Sequence, residues 1–162
     1  MNKTNFCSVL SKRPIAAAFL NGNEKNSKIH GTVLFYQVNS GVVVRAEIIG
    51  LPSTNNPCKN PIFAFHIHSG SSCTGNLQDP FADTKGHYNP NNCPHPYHAG
   101  DLPPLFGVNG KAFSVFLTNR FTIPEILGKT LVIHSMPDDF TTQPSGNSGE
   151  KIACGIITPT AR

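Results

Sequence analysis

The sequence predicts an all-β domain, a sandwich or flattened barrel of seven or eight short strands, and three observations carry that prediction. Charged residues are sparse while Gly and Pro number 14 each and Trp is absent, a composition that suits a β protein with many turns better than a helical bundle. Short runs of β-branched and aromatic residues recur at hairpin spacing. Two long irregular stretches interrupt these runs, an outline that favours a sandwich or flattened barrel.

Taken in order, residues 1–12 read as a loosely ordered N-terminal arm, and residues 13–162 as a single domain long enough to bury its own core. The runs PIAAAFL (14–20), KIHGTVLFYQV (28–38) and GVVVRAEIIGL (41–51) are separated by NGNEKNS and NSG, the turn chemistry of antiparallel hairpins. In the second run neither alternating set is cleanly polar, so both faces of that strand are expected to be covered in part. His30 lies there and reads as structural or exposed. IFAFHIHSG (62–70) is a fourth strand, and residues 71–110 are then dominated by Gly, Pro, Asn and Ser. A loop of that length inside a compact domain points to function. KAFSVFL (111–117) and TLVIHSM (130–136) are further strands, with TIPEILG (122–128) a short helical turn between them. A second irregular stretch, 137–149, precedes the closing strand KIACGIIT.

The net charge of +4 is spread, with no basic run longer than Lys12–Arg13, so nucleic acid is not an expected partner. A mildly positive surface favours a small anionic substrate. No stretch approaches the roughly 20 apolar residues that span a bilayer, so no membrane partner is expected. Lys12, Arg13 and Pro14 interrupt the apolar character near the N-terminus, which reads as a cytoplasmic chain, or as an exported one whose leader has been removed. Five cysteines leave at least one unpaired, and Cys7 is the expected free thiol.

The chemistry concentrates in the histidines: of seven, six fall between His66 and His134. His66 and His68 are two residues apart on a strand, so both project from one face, roughly 6.6 to 7 Å apart along the backbone. Both rings can meet at one ion, and neutral imidazole suits zinc and copper alike. The loop GHYNPNNCPHPYHAGDLP adds His87, His95, His98 and Asp101, a nitrogen and oxygen set that zinc accepts. His134 ends a strand, where it can complete the set begun by His66 and His68. Two ions with four ligands each need eight positions, yet seven are on offer. One imidazole must therefore serve both through its two ring nitrogens, and His87 is the natural choice.

These residues resemble the copper/zinc superoxide dismutase family, over about residues 14–158, most densely in FAFHIH, GHYNP, HAGDLP, IHSMPDD and GNSGEKIACGII. The resemblance implies an eight-stranded Greek-key β-barrel with two long functional loops. It implies copper on His66, His68, His87 and His134, and zinc on His87, His95, His98 and Asp101, with His87 as bridging imidazolate. Asp138 corresponds to an aspartate that accepts hydrogen bonds from one ligand of each metal, here His66 and His95. Cys73 and Cys154 match a disulfide that ties a loop to the barrel. The implied reaction is disproportionation of superoxide to oxygen and hydrogen peroxide, with His87 taking up a proton as copper is reduced and delivering it to the forming peroxide.

The chain departs from the family pattern in three places. The family usually carries an arginine three residues before the last cysteine, where it docks the anion; here Lys151 keeps the charge and loses the planar fork, which implies poorer docking. The loop between His95 and His98 is short. Cys58 and Cys93 lie outside the pattern and are read as a second disulfide anchoring that loop, with two free thiols as the alternative. A homodimer is compatible with the resemblance. Ser69 and Gly70 after His68 argue against a zinc hydrolase or a cupin-type oxygenase, which place acidic residues there. The rival from another class is a redox-silent barrel that buffers or carries copper or zinc.

Overall fold

A computed structural model describes residues 5–56, 58 and 61–161. Nine strands are seen among them: β1 (Ala16–Gly22), β2 (His30–Val38), β3 (Gly41–Ile49), β4 (Ile62–Phe63), β5 (Phe65–His68), β6 (Leu105–Phe106), β7 (Lys111–Thr118), β8 (Thr130–His134) and β9 (Lys151–Pro159). Two short helices, α1 (Phe6–Leu10) and α2 (Ile123–Ile126), complete the regular structure apart from single 3-10 turns. Seven strands form one antiparallel sheet in the order β5-β8-β9-β1-β2-β3-β7, and β4 pairs with β6 in a ribbon. That ribbon runs into β5 at one edge of the sheet and turns into β7 at the other, through a Val108–Lys111 bridge. The sheet thus curls into a flattened all-β barrel.

The strand expected over 62–70 is interrupted at Ala64, because β4 pairs with β6 whereas β5 pairs with β8. At the break the Ala64 amide donates to the Met136 carbonyl, 2.8 Å away. Counting β4 and β5 as one interrupted strand gives the eight that the resemblance implies. The loop expected over 71–110 also contains β6, whose two residues are too few to leave a periodic signal.

Period-2 alternation sorts the side chains. Phe35 on β2, Phe65 and Ile67 on β5, and Leu131 and Ile133 on β8 all point into one core that also holds Phe63, Leu105 and Ile126. Truncating one of its phenylalanines to alanine would cost about 3–5 kcal/mol. Both faces of β2 are covered, as its mixed pattern suggested: Val33 and Phe35 face the core, while Tyr36 packs outside with Val43 and with Val9 of α1. The segment read as an arm therefore contains a helical turn, capped where Asn5 Oδ1 accepts from the Ser8 amide at 3.3 Å, and docked by one valine. The helical turn expected over 122–128 is α2. Its capping box joins Thr122 to Glu125, and Pro124 sits in its first turn, where a missing N–H costs nothing. His30 is exposed, its Nδ1 2.9 Å from the Lys28 carbonyl. Among the described residues no helix is long and apolar enough to cross a membrane.

Cys73 and Cys154 are disulfide-bonded across a sequence separation of 81. The second bridge read for Cys58 and Cys93 is not formed; both are free thiols, as is Cys7. The loop at Cys93 is held by other means, since Asn89 accepts from the Cys93 amide at 3.0 Å and donates to its carbonyl at 2.8 Å.

Candidate metal centre

The alternation that sends Phe65 and Ile67 into the core sends His66 and His68 to the outer face of the barrel wall. On the neighbouring strand Val132 and His134 point outward in the same way. All three histidines are nonetheless buried, because the two long loops lie across this face. The first is fastened by the Cys73–Cys154 disulfide and by Phe81, which packs on Val132. It is also hydrogen-bonded along β5: Tyr88 and Gly100 bond to Ile67 from N–H to O and O to N–H, at 2.8 and 2.9 Å. Those bonds set His87 opposite His68, and Asp101 opposite His66.

Two four-residue groups result, in each of which the ligand atoms lie within 4.8 Å of one another: His66, His68, His87 and His134, and His87, His95, His98 and Asp101. Only His87 belongs to both. Its Nδ1 stands 2.8 Å from Asp101 Oδ1 and 3.4 Å from His98 Nδ1, within the second group. Its Nε2 is buried without a hydrogen-bond partner, and its ring centroid is 4.0 Å from that of His66.

The outer hydrogen bonds fix which nitrogen of each ring is left to face the centre. Asp138 accepts from His66 Nε2 and from His95 Nε2, both at 2.8 Å, one on each carboxylate oxygen. That leaves His66 Nδ1 and His95 Nδ1, the two remaining buried imidazole nitrogens without a hydrogen-bond partner. His95 Nδ1 lies 3.1 Å from Asp101 Oδ2 yet has no hydrogen bond there, because with its proton on Nε2 the ring turns a lone pair toward the carboxylate. His68 Nδ1 donates to the Lys85 carbonyl at 2.8 Å, and His134 Nδ1 faces the Gly149 carbonyl at 3.4 Å. Their Nε2 atoms, lone pair toward lone pair, are 3.2 Å apart. Buried acceptors without donors are costly, and a cation at each group satisfies all of them at once. The donor sets fit zinc and copper.

The electrostatics agree. Burial, with the neighbouring imidazoles, pushes the His68 pKa well below its ordinary value and that of His134 down to about 3. Burial also lowers His66 and His98. Those four rings are thus held toward the neutral form, the state a metal requires. Burial works to raise the Asp101 and Asp138 carboxyls, but hydrogen bonds from His87 to the first and from His66, Phe140 and His95 to the second prevail and hold both low.

Supporting residues that the sequence does not flag complete the site. One guanidinium nitrogen of Arg120 donates to the carbonyls of Pro96, His98 and Asp101 at 3.0, 3.2 and 3.2 Å. Gln143 joins the two loops by accepting from the His95 amide at 2.9 Å and donating to the His95 carbonyl at 2.7 Å. Gly146 has φ +69, and a Cβ there would lie 2.0 Å from Asp138 Oδ1, so only glycine lets the second loop close over that carboxylate. None of the three leaves a local sequence signal. A cleft of about 550 Å³ leads to the histidines, lined by His68, His87, His134, Lys85 and Lys151. Lys151 is not free in it: its Nζ donates to Asp79 Oδ2 at 2.7 Å and to the Phe81 carbonyl at 3.1 Å.

Residues 29–157 match the family described as copper/zinc superoxide dismutase (SODC). The chain belongs to that family. Superoxide dismutase [Cu-Zn] 1 of Aquifex aeolicus (strain VF5) is 36% identical over 152 residues, covering 83% of each chain. The superoxide dismutase-like protein YojM of Bacillus subtilis (strain 168) is 33% identical over 120 residues, 65% of this chain and 60% of that one. Among solved structures, a double mutant of a SOD-like protein from Bacillus subtilis superposes with a TM-score of 0.71 at 29% identity, over 88% of this chain and 96% of that one. The copper/zinc superoxide dismutase family uses copper and zinc, and the two histidine groups are where this member can hold them.

Proposed function

We propose that this chain converts two superoxide ions and two protons into oxygen and hydrogen peroxide, with copper held by His66, His68, His87 and His134 and zinc by His87, His95, His98 and Asp101. The observation that carries the reading is His87, which has one ring nitrogen 2.8 Å from Asp101 and the other buried and unpartnered, left for the set formed with His66, His68 and His134. Copper supplies the one-electron redox chemistry when bound, and zinc a fixed positive charge. The protein supplies the rest. Asp138 aims His66 and His95 from outside and raises their basicity as ligands. The cleft, which no carboxylate lines, admits a small anion to the face of His68, His87 and His134. His87 Nε2, the nitrogen turned toward that set, is the atom at which a proton can be taken up and given back to the product.

A relative named only dismutase-like keeps a redox-silent, metal-buffering barrel as the second reading. Against it stands the complete set of seven ligand side chains in buried, mutually oriented positions. Purified protein loaded with copper and zinc is expected to remove superoxide catalytically, to lose that activity without copper, and to lose it in His134→Ala. Full occupancy by both metals without turnover would select the buffer.

A further inference from the structure

The cleft contains two lysines, and only one has its charge free. Lys151 occupies the position expected for anion docking, yet its ammonium is spent on Asp79 Oδ2 at 2.7 Å. Lys85 lines the same cleft, is exposed, and among the described residues forms no ion pair and no side-chain hydrogen bond. Its carbonyl accepts from His68 Nδ1 at 2.8 Å, so the chain that bears this ammonium is one hydrogen bond from a copper-set histidine. A second observation concerns the backbone. Lys85 has φ 63 and ψ -150, a region that glycine occupies freely and a side chain does not. A lysine is therefore kept at the mouth of the site in a conformation that its side chain opposes.

We propose that Lys85, rather than Lys151, is the cation that draws and docks the anionic substrate beside the histidines. The proposal rests on the copper centre proposed above. A single ammonium next to a small anion, in a cleft open to water, changes anion affinity by about fivefold, and the effect should fade as salt screens it.

The test is a titration of the copper- and zinc-loaded protein with azide, an anion of substrate-like size, followed in the visible absorption of copper at low ionic strength. Lys85→Gln and Lys85→Gly are expected to weaken azide binding about fivefold and to flatten the salt dependence of superoxide removal, while Lys85→Arg preserves both. Lys151→Gln alone would bare the Asp79 carboxylate, so the comparison is the double change Asp79→Asn with Lys151→Gln, expected to shift azide affinity less than Lys85→Gln does. Lys85→Gly should also raise the melting temperature by relieving the backbone, so that stability and anion affinity move in opposite directions. The proposal is overturned if the double variant weakens azide as much as Lys85→Gln, or if the Lys85→Gly loss comes with a lower melting temperature. Wild-type protein that takes up no copper, or whose copper ignores azide, would instead sink the proposed centre itself.

Discussion

Arg120 offers the sharpest test of how the second ligand group is held. Its Nη1 reaches three carbonyls of the turn that carries His98 and Asp101, at 3.0 to 3.2 Å. One nitrogen has two hydrogens, so the three contacts amount to two hydrogen bonds from a charged donor, and each such bond contributes about 1.5–3 kcal/mol. The residue is exposed, and in Arg120→Ala water would replace part of what is lost. The net loss then falls below the roughly 3 kcal/mol that two bonds at the lower end would give, to about 2 kcal/mol for the turn as a whole. If the turn must be reordered when zinc binds, that energy appears as a loss of zinc affinity on the order of 30-fold. Competition against a chromophoric chelator, starting from metal-free protein, measures it directly. Copper affinity should change much less, since His66, His68 and His134 receive nothing from Arg120. A zinc affinity within about twofold of wild type would refute the claim that this guanidinium holds the turn.

Other changes have equally definite outcomes. Asp138→Asn replaces an acceptor of two imidazole N–H groups with a side chain that can accept on one oxygen only, and should weaken both metals by about 10–100-fold, read by the same competition. Gly146→Ala drives a Cβ into Asp138 Oδ1 from a backbone at positive φ, and is expected to cost at least about 3 kcal/mol in denaturant unfolding. Cys154→Ser opens a loop of 81 residues and should lower stability by up to about 4.5 kcal/mol on the chain-entropy account. The metal-free protein should also be acid-labile. The depressed pKa values of His66, His68, His98 and His134 mean that the unfolded chain binds protons first as pH falls below about 6.5, so stability is full above that pH and declines toward the folded values, near 3 for His134. Asp101 and Asp138, also depressed, extend the decline below about pH 4. Urea melts at stepped pH measure it, and metal loading should flatten the profile.

What the sequence could show depended on how far each feature is encoded locally. The pairing of His66 with His68 is legible because the pleat has a fixed period, and the same period explains how one strand serves two masters: Phe65 and Ile67 build the core while His66 and His68, alternating with them, face the candidate site. The seven candidate positions were countable in the sequence, and the structure gathers them into two groups that have His87 in common. The break at Ala64 was not legible, since it arises from a change of partner strand rather than from any residue at the break. The helical turn at Phe6–Leu10 was hidden for a similar reason: only the outward face of β2, seen with its neighbours, gives Val9 a place to dock.

The cations show the limit most clearly. A lysine three residues before the last cysteine can be read as an anion guide from its position, but its charge is available only if no carboxylate answers it, and Asp79 lies 72 residues away in the chain. Lys85 gives no sign in the sequence, because what distinguishes it is an unanswered ammonium and a backbone angle. Ligand sets are written in residue identity and spacing, which the sequence contains. The field that brings a substrate to them is written in which charges remain unpaired after folding, and that is a property of the closed barrel and its two loops.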